Sequence, residues 1–403
     1  MARPQHEGVT RERRRGRGQQ RQPHRSRTAR ARHHRRRARH GPVPGRRRHP
    51  RRAERDHRAL RGIPRGRRPR GHGRPPARPH PRPTRRRRGF ALQRQGELGL
   101  WPSLLGQEAA QVGAGRAMRP QDYGFPGYRE HGVAWCKGVP PENLLGMFRG
   151  VNHGGWDSKE YNFHLYTIVI GNQMLHAVGY AMGVARDGDV ATGDADRDTA
   201  VMAFTGDGGT AQGDFNEALV FASVTNAPVV FYVQNNHWAI SEPNDRQFTI
   251  PPYRRADGFG FPGIRVDGND VLASYAVTRY ALDRARSGQG PTLIEAFTYR
   301  MGAHTTSDDP TKYRISAEVD AWKAKDPIDR MKAYLTAEGA IDDAWVEQTE
   351  GEADELAKRI RKACQTMPDP PHEEMFAHVY AEPHPLIERE SASFADYQAG
   401  FED

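Results

Sequence analysis

The sequence feature that most constrains the fold is the stretch from Val201 to Trp238, in which two apolar runs enclose one helical segment. The first run, Ala200 to Thr205, has the length of a buried strand. The second run, Pro228 to Val233, has the same character, and the segment between them carries Phe215 and Leu219 among small residues. This order predicts a βαβ unit and therefore an α/β fold with a parallel sheet flanked by helices.

Polar residues follow both predicted strands. Asp207 follows the first within the turn Gly206-Asp207-Gly208-Gly209, and Asn236 follows the second, 29 residues after Asp207. Open α/β sheets bind ligands at the carboxyl ends of their strands. A carboxylate and an amide oxygen suit Mg²⁺, and glycines with a following helix N-terminus suit a diphosphate. The turn alone would more often be an ordinary helix cap, so the distant asparagine is what favours a metal–diphosphate site.

Charge is divided unevenly along the chain. Residues 1–90 contain 34 arginines, no lysine and four acidic residues, which gives a formal net charge of +30. The remainder carries 28 basic and 45 acidic residues, and thus a net charge of −17. Because so basic a segment cannot bury a core, we expect residues 1–89 to be disordered and an ordinary domain to begin at residue 90.

Three hypotheses account for this arginine-rich segment. A nucleic-acid-binding tail would use arginine to neutralise phosphates, and its DNA binding would be salt-dependent and lost on truncation to Phe90. A targeting peptide fits less well, since Pro and Gly interrupt an amphipathic helix. We favour a segment read from a GC-rich gene in the wrong frame, because Arg, Pro, Gly, His and Ala dominate without lysine. Resequencing the gene upstream of the Phe90 codon separates these hypotheses, and nucleic acid is not the expected partner.

Two loops outside the βαβ unit hold further candidate residues. Tyr128 and Arg129 stand side by side, where they could clamp a phosphate or could simply begin a helix. His304 lies in the polar loop Tyr299 to Arg314, directly after a predicted buried strand. For that histidine, a turn position and a position in an active site are both consistent with the sequence.

The remaining features bound the class of protein. Cys136 and Cys364 are too far apart in sequence for a metal-binding or redox motif, which fits a cytoplasmic protein. No run of about eighteen apolar residues is present, so we expect no transmembrane helix and no membrane partner. We predict one domain over residues 90–380, with a helical C-terminal region, and an arm over residues 381–403 suited to a subunit contact.

From about Phe90 onwards, the chain resembles the α subunits of the thiamine diphosphate-dependent 2-oxo acid dehydrogenases, the first components of the branched-chain and pyruvate dehydrogenase complexes. The resemblance covers about three quarters of the chain and rests on seven stretches in the same order. They are LQRQGELGLWPSLLGQEAAQ, FPGYREHG, GDGGTAQGDFNEA with QNNHWAIS, IRVDGNDV, LIEAFTYR and HTTSDDPTKYR. The resemblance implies the diphosphate-binding half of a thiamine diphosphate-binding fold.

The resemblance also implies a role for individual residues at the diphosphate end of that cofactor. Asp207, Asn236 and the backbone carbonyl of Trp238 would hold Mg²⁺. The diphosphate oxygens would be contacted by residues of two loops, namely Tyr128, Arg129, Gly206, Gly208 and Gly209.

At the other end of the cofactor, Ile168 and Ile170 match positions that line the aminopyrimidine. His304 would be the catalytic histidine, standing beside the thiazolium and the substrate carboxylate and supplying charge and protons. Thr305 matches a position that animal relatives phosphorylate as serine, and Gln234 stands where some relatives have an arginine that binds phosphate.

The implied function is the oxidative decarboxylation of branched 2-oxo acids such as 3-methyl-2-oxobutanoate, with the acyl group passed to the lipoyl group of a dihydrolipoyl acyltransferase. The stretch IRVDGNDV and the TSDD loop favour these branched-chain members, while an α subunit of pyruvate or acetoin dehydrogenase is the alternative. In this family a separate β subunit supplies the carboxylate that activates the cofactor. We therefore expect an α₂β₂ assembly and no activity from this chain alone.

Overall fold

The computed structural model describes residues 88–152 and 155–401. Almost all of the arginine-rich segment lies outside the described residues, so the hypotheses about it stay predictions. Five parallel strands form the main sheet in the order β1-β2-β3-β7-β6. They are β1 (Tyr123–Phe125), β2 (Val201–Gly206), β3 (Val229–Asn235), β6 (Gly263–Asp267) and β7 (Thr292–Phe297). A two-stranded antiparallel ribbon consists of β4 (Trp238–Ala239) and β5 (Glu242–Pro243).

Helices precede, connect and follow these strands. Those up to β2 are α1 (Arg88–Arg94), α2 (Glu108–Ala117), α3 (His131–Cys136), α4 (Gly146–Arg149) and α5 (Asn172–Arg186). Those between β2 and β7 are α6 (Gly213–Val224), α7 (Asn244–Gln247), α8 (Arg255–Phe259) and α9 (Val271–Arg286). Those after β7 are α10 (Ser316–Lys323), α11 (Pro327–Ala337), α12 (Asp343–Thr366), α13 (Glu374–Ala377) and α14 (Pro385–Ala399).

The central strands are buried on both faces, which explains their uninterrupted apolar sequences. Successive side chains of a strand point to opposite faces, and β2 divides accordingly. Met202 and Phe204 join one apolar cluster with side chains of α2 and α9, while Val201 and Ala203 join another with side chains of α5 and α6. The prediction of a parallel sheet flanked by helices is confirmed.

Close packing of α2 against α9 depends on small residues. A Cβ atom at Gly113 of α2 would lie 2.6 Å from the Cβ atom of Ser274 of α9, so the two backbones approach closely there. The start of α9 is fixed by Asp270, whose side chain accepts a hydrogen bond from the Ala273 backbone N–H at 2.9 Å. This pair of helices supports one face of the sheet beneath the ends of β2 and β3.

Two local expectations from the sequence need correction. Strand β3 extends to Asn235, two residues beyond the predicted end at Val233, so Asn236 is the first residue after the strand. The glycine turn does not lead directly into a helix N-terminus, since residues Asp207–Ala211 form a 3₁₀ turn and α6 begins only at Gly213.

The helical C-terminal region agrees with the sequence. Helix α11 begins with Pro327 behind the capping residue Asp326, and α12 is capped by Asp342. Helix α14 lies within the predicted arm, and the boundary at residue 381 stays a prediction. In the described part of the chain, no helix is long and apolar enough to cross a membrane.

Candidate active site

A cleft of about 520 Å³ lies at the carboxyl edge of the sheet, and we call it the candidate cleft. The residues directly after β2 and β3 lie at its floor, and the loops that follow β1 and β7 form its walls. All of the site residues named from the sequence line it, namely Tyr128, Arg129, Ile168, Ile170, Gly206, Asp207, Gly208, Gly209, Asn236, Trp238 and His304. The fold thus gathers residues from five separate stretches of sequence.

Asp207 is a buried carboxylate with few partners. Its Oδ2 accepts a hydrogen bond from Gln247 Nε2 at 2.8 Å, and its Oδ1 faces the Asn236 backbone N–H at 3.4 Å. It forms no ion pair with any residue in the described part of the chain. Burial raises the pKa of Asp207 to about 6, and the charge of Arg300 opposes that rise. A carboxylate in this setting is one that a cation would stabilise in its charged form.

Two further oxygen atoms come from the loop after β3. Asn236 donates through Nδ2 to Gln107 Oε1 at 2.9 Å, and its Oδ1 accepts from the Trp238 backbone N–H at 3.2 Å. The Trp238 carbonyl accepts from Arg300 Nη1 at 3.0 Å, which leaves one of its lone pairs available. With Asp207, these groups form a set of oxygen donors of the kind that Mg²⁺ prefers.

The glycines of the turn after β2 have different constraints. A Cβ atom at Gly206 would meet no heavy atom within 4 Å, so this residue borders the open space of the candidate cleft. At Gly208 a Cβ atom would lie 2.6 Å from Ala239 Cβ, and at Gly209 it would lie 2.1 Å from Thr205 Oγ1. Side chains at those two positions would force the turn away from the strand, so the backbone lines the cleft closely only with glycine there.

His304 is held between a tyrosine and two arginines. Its Nε2 lies 3.4 Å from Tyr128 Oη, and its Nδ1 lies 3.4 Å from Arg129 Nη2 and 3.3 Å from Arg300 Nη1. A guanidinium group can only donate, so Nδ1 must accept and the neutral imidazole carries its proton on Nε2. Burial and the two arginines lower the pKa of His304 to about 3. In this arrangement Arg129 and Arg300 carry the positive charge beside the imidazole. The expected catalytic role of His304 stays a prediction.

Arg300 is the main residue of the cleft that was not singled out from the sequence. It is buried, and it donates to the carbonyl oxygens of Trp238 and Ile240 at 3.0 and 2.6 Å and to Tyr313 Oη at 3.0 Å. It lies three residues after the end of β7, so its position shortly after a buried strand was a usable signal. Through these bonds Arg300 connects the loop after β3 with the loop that carries His304.

The loop of His304 is closed by Asp308. Asp308 Oδ2 accepts from the His304 backbone N–H at 2.7 Å and from Tyr313 Oη at 2.5 Å. These two bonds and the charge of Arg300 lower the pKa of Asp308 despite its partial burial. Thr305 also lines the cleft next to His304.

Behind Arg129 lies a buried chain of amide and carboxyl groups. Gln234 Nε2 donates to Glu130 Oε1 at 2.6 Å, and Gln111 Nε2 donates to Gln234 Oε1 at 2.8 Å. Burial raises the pKa of Glu130, and its hydrogen bonds oppose that rise. Gln234, at the position where some relatives have an arginine, thus faces a carboxylate as well as the cleft.

One side of the candidate cleft is apolar and open. Ile168 and Ile170 line it with 53% and 39% of their surface exposed, and Val169 between them is 70% exposed. Among the described residues, no three His, Cys, Asp or Glu side chains come together as a metal-binding group. A cation in the cleft would therefore depend on Asp207 together with amide and carbonyl oxygens.

Comparisons with known proteins agree with this arrangement. A family model described as "Dehydrogenase E1 component" matches residues 81–375. The 3-methyl-2-oxobutanoate dehydrogenase subunit alpha of Mycobacterium tuberculosis is 49% identical over 292 residues, which are 72% of this chain and 77% of the relative. The pyruvate dehydrogenase E1 component subunit alpha of Acholeplasma laidlawii is 40% identical over 321 residues, which are 78% of this chain and 89% of the relative.

A third relative, the pyruvate dehydrogenase E1 component subunit alpha of Staphylococcus epidermidis, is 39% identical over 279 residues, 69% of this chain and 72% of the relative. The similarity to α subunits implies a β subunit as partner. The matched region contains every residue of the candidate cleft. The resemblance drawn from the motifs is confirmed, and the chain belongs to the dehydrogenase E1 component family, the thiamine diphosphate-dependent 2-oxo acid dehydrogenases.

Proposed function

We propose that this chain is the α subunit of a branched-chain 2-oxo acid dehydrogenase component, which decarboxylates 3-methyl-2-oxobutanoate and its homologues. The observation that carries the proposal is the convergence of Asp207, Asn236 and the Trp238 carbonyl on one cleft that also contains Arg129, Arg300 and neutral His304. The relative with 49% identity, named for 3-methyl-2-oxobutanoate, supports the branched substrate.

The residues of the cleft fit a magnesium-bound diphosphate. The raised pKa of Asp207 marks a buried carboxylate that lacks a direct cationic partner, and one Mg²⁺ would supply that partner. Asp207, Asn236 and the Trp238 carbonyl would hold the ion, while Tyr128 and Arg129 would bind diphosphate oxygens. Gly206, Gly208 and Gly209 would let the diphosphate approach the backbone, and Ile168 and Ile170 would contact the aminopyrimidine.

Bound thiamine diphosphate supplies the electron sink that decarboxylation requires. The chain's own contribution near the reacting carbon is electrostatic. Arg129 and Arg300 place two positive charges beside His304, where they attract the carboxylate of a 2-oxo acid. His304 directs its Nε2 proton into the same space as a hydrogen-bond donor, and Tyr128 Oη accepts it in the absence of substrate.

The apolar open side of the cleft supports an assembly with the β subunit. Besides Ile168 and Ile170, helices α5 and α6 expose large apolar side chains, namely Tyr180, Met182, Val220, Phe221 and Val224. Several large apolar side chains exposed on two neighbouring helices are typical of a protein interface. We propose an α₂β₂ enzyme in which the β subunit covers this face and completes the cleft. In the proposed complex, a lipoyl-bearing acyltransferase would receive the acyl group. We also propose that the enzyme is located in the cytoplasm.

A substrate panel tests the proposal. The chain is co-expressed with a β subunit of the same family, loaded with thiamine diphosphate and Mg²⁺, and assayed with ferricyanide as electron acceptor. We expect kcat/KM for 3-methyl-2-oxobutanoate to exceed that for pyruvate by at least about tenfold, since a hydrophobic pocket discriminates added methyl groups by that order. Asp207→Ala is the inactive control, and omission of the β subunit should abolish turnover.

Pyruvate is the second candidate substrate, because the relative with 40% identity over most of its own length is a pyruvate dehydrogenase α subunit. A preference for pyruvate would replace the branched-chain proposal with that one, and turnover of acetoin alone would assign an acetoin dehydrogenase. Transfer to the acyltransferase is tested separately, by the appearance of acylated lipoyl domain in a mass spectrum.

A further inference from the structure

The loop that carries Asn236 and Trp238 contains an unusual backbone conformation. His237, between them, has φ = +73°, and Ile240 has φ = +54°. The left-handed region is costly for residues with a Cβ atom and is seldom occupied without a compensating interaction. At His237, therefore, something must hold the chain in this conformation.

The side chain of His237 packs into a box of three aromatic rings, Phe297, Tyr299 and Trp322, which we call the aromatic box. Its ring centroid lies 4.5 Å from that of Phe297, 5.6 Å from that of Tyr299 and 5.1 Å from that of Trp322. Its buried Nε2 has no hydrogen-bond partner in the described part of the chain. Packing against the three rings is therefore what holds the imidazole in place at this atom.

The rings of the aromatic box also contact one another and two cationic side chains. Tyr299 and Trp322 stack with an interplanar angle of 6°, and their centroids are 5.2 Å apart. On the outer side, Arg265 lies 3.7 Å from the centroid of Phe297, and Lys325 lies 4.9 Å from that of Trp322. The box joins β7 and its loop to α10, so helix α10 is needed to complete it.

We propose that His237 is a positioning residue, whose left-handed backbone, held by the aromatic box, sets the Asn236 amide and the Trp238 carbonyl in place for a divalent cation. The inference rests on the magnesium site of the proposed function. Because His237 is the residue between the two ligands, its φ angle determines the direction in which the chain passes from one to the other. Without the box, the loop relaxes to a commoner backbone conformation. Cation binding must then restore the left-handed conformation of His237, and the free energy that this requires lowers the affinity for the cation.

Two substitutions at one position separate the backbone from the ring. His237→Gly and His237→Ala both remove the imidazole, but only glycine occupies the left-handed region freely. The full chain with its β subunit is titrated with Mn²⁺ at saturating thiamine diphosphate, and free Mn²⁺ is measured by electron paramagnetic resonance. We expect His237→Ala to bind Mn²⁺ about tenfold more weakly than His237→Gly, and His237→Gly to bind within about threefold of the wild type.

Opening the box tests the same coupling from the other side. We expect Trp322→Ala to weaken Mn²⁺ binding about tenfold in the wild-type background, but less than about twofold when His237 is already glycine. A merely structural tryptophan would cause the same loss in both backgrounds. Trp345→Ala, at a half-exposed tryptophan on α12, is the matched control and should leave Mn²⁺ binding unchanged.

The outcomes distinguish this inference from the proposal beneath it. Equal Mn²⁺ affinities of the alanine and glycine variants, or equal losses from Trp322→Ala in both backgrounds, would overturn the positioning role alone. Failure of the wild type to bind Mn²⁺ with thiamine diphosphate, or unchanged binding in Asp207→Ala, would overturn the metal site and the positioning role with it.

Discussion

Two cavities of the same volume, about 520 Å³ each, lie in this domain, and they differ in nearly every other respect. The candidate cleft contains buried ionisable groups, Asp207, Arg129 and Arg300 among them. The second, which we call the apolar cavity, lies among α1, α3 and α12. Its apolar lining is Leu92, Leu98, Trp101, Leu104, Val112, Trp135, Leu144, Leu145, Ala357 and Ile360. Volume alone therefore does not mark a reactive site.

A wall of stacked rings divides the two regions. Trp101 stacks on His131 at 4.4 Å, and both border the apolar cavity, whereas Phe148 packs edge-on against Trp101 and borders the candidate cleft. Burial and the charge of Arg129 lower the pKa of His131 to about 3, although its bond to the Pro102 carbonyl opposes this. His131 is therefore a neutral packing residue. The comparison teaches that burial has different consequences in the two regions. Burial of charged groups in the candidate cleft lowers the free energy of unfolding but makes chemistry possible. Burial of apolar groups around the apolar cavity raises the free energy of unfolding and has no chemical role.

The largest expected effect comes from Asp207→Asn in the candidate cleft. Loss of a buried carboxylate that faces a bound cation should reduce turnover of the α₂β₂ enzyme about 100-fold or more. The matched control is Asp214→Asn, at an exposed carboxylate on α6. Turnover within a few-fold of the wild type would contradict the assignment of Asp207 to the cation.

The same variant should gain stability in the absence of cofactor. Burial raises the pKa of Asp207 to about 6, so the folded state binds this proton more tightly than the unfolded state does. The ionised form then destabilises the fold above about pH 6, and that cost disappears as the pH falls towards 4. We expect urea unfolding near pH 7.5 to show Asp207→Asn more stable by up to about 3 kcal/mol, and the difference to vanish near pH 4. A pH-independent difference would contradict this account.

Arg300→Lys should have the next largest effect. Lysine cannot reach the Trp238 carbonyl, the Ile240 carbonyl and Tyr313 at once, so about two charged hydrogen bonds are lost. We expect kcat/KM to fall between about 10- and 100-fold, measured with the ferricyanide assay. Arg246→Lys, at an exposed arginine paired with Glu242, is the control and should change little. Equal behaviour of the two variants would remove Arg300 from the cleft's function.

In the apolar cavity, Leu145→Ala should affect stability and leave chemistry alone. Leu145 is buried at 3% exposure, and truncation should cost about 2–4 kcal/mol in the free energy of unfolding. Activity per folded molecule should stay within about twofold, measured after removal of aggregates. Leu386→Ala, at an exposed leucine of α14, is the control. A large loss of activity in the folded fraction would mean that the wall of rings does not insulate the two regions.

The smallest effect is expected from filling the apolar cavity. Ala357→Leu on α12 adds apolar surface that faces this space, and it should raise the free energy of unfolding by about 1 kcal/mol. Ala344→Leu, at an exposed position of the same helix, is the matched control. If Ala357→Leu instead lowers the free energy of unfolding, the apolar cavity has no room for the added side chain. The description of this region as an apolar cavity would then be wrong.

The sequence predicted those parts of the cleft that depend on local order. Asp207 and Asn236 each stand directly after a buried apolar run, and the topology of a βαβ unit brings such residues together without further information. The 3₁₀ turn between Asp207 and α6 was not predictable in this way, because Gly208 and Gly209 fit either a turn or a helix start.

Properties that depend on residues brought together by the fold could not be predicted from the sequence. The lowered pKa of His304 follows from its burial and from the charges of Arg129, which lies in a distant loop, and of Arg300, which lies in the same loop as His304. The aromatic box was likewise not predicted, since Trp322 lies in a region that the sequence described only as helical. What the resemblance to a family added was the identity of the ligand, which residue spacing alone left open.

The strand order has a consequence for how the protein is made. Strand β7 is synthesised after β6, yet it lies between β6 and β3 in the sheet. Since a chain leaves the ribosome from its N-terminus, β6 emerges before the strand to which it must bond exists. Asp207 and Asn236 are likewise translated well before Arg300. A nascent chain halted before Thr292 thus has Asp207 and Arg129 but lacks Arg300, and the addition of β7 is the step that brings the second guanidinium group to the cleft.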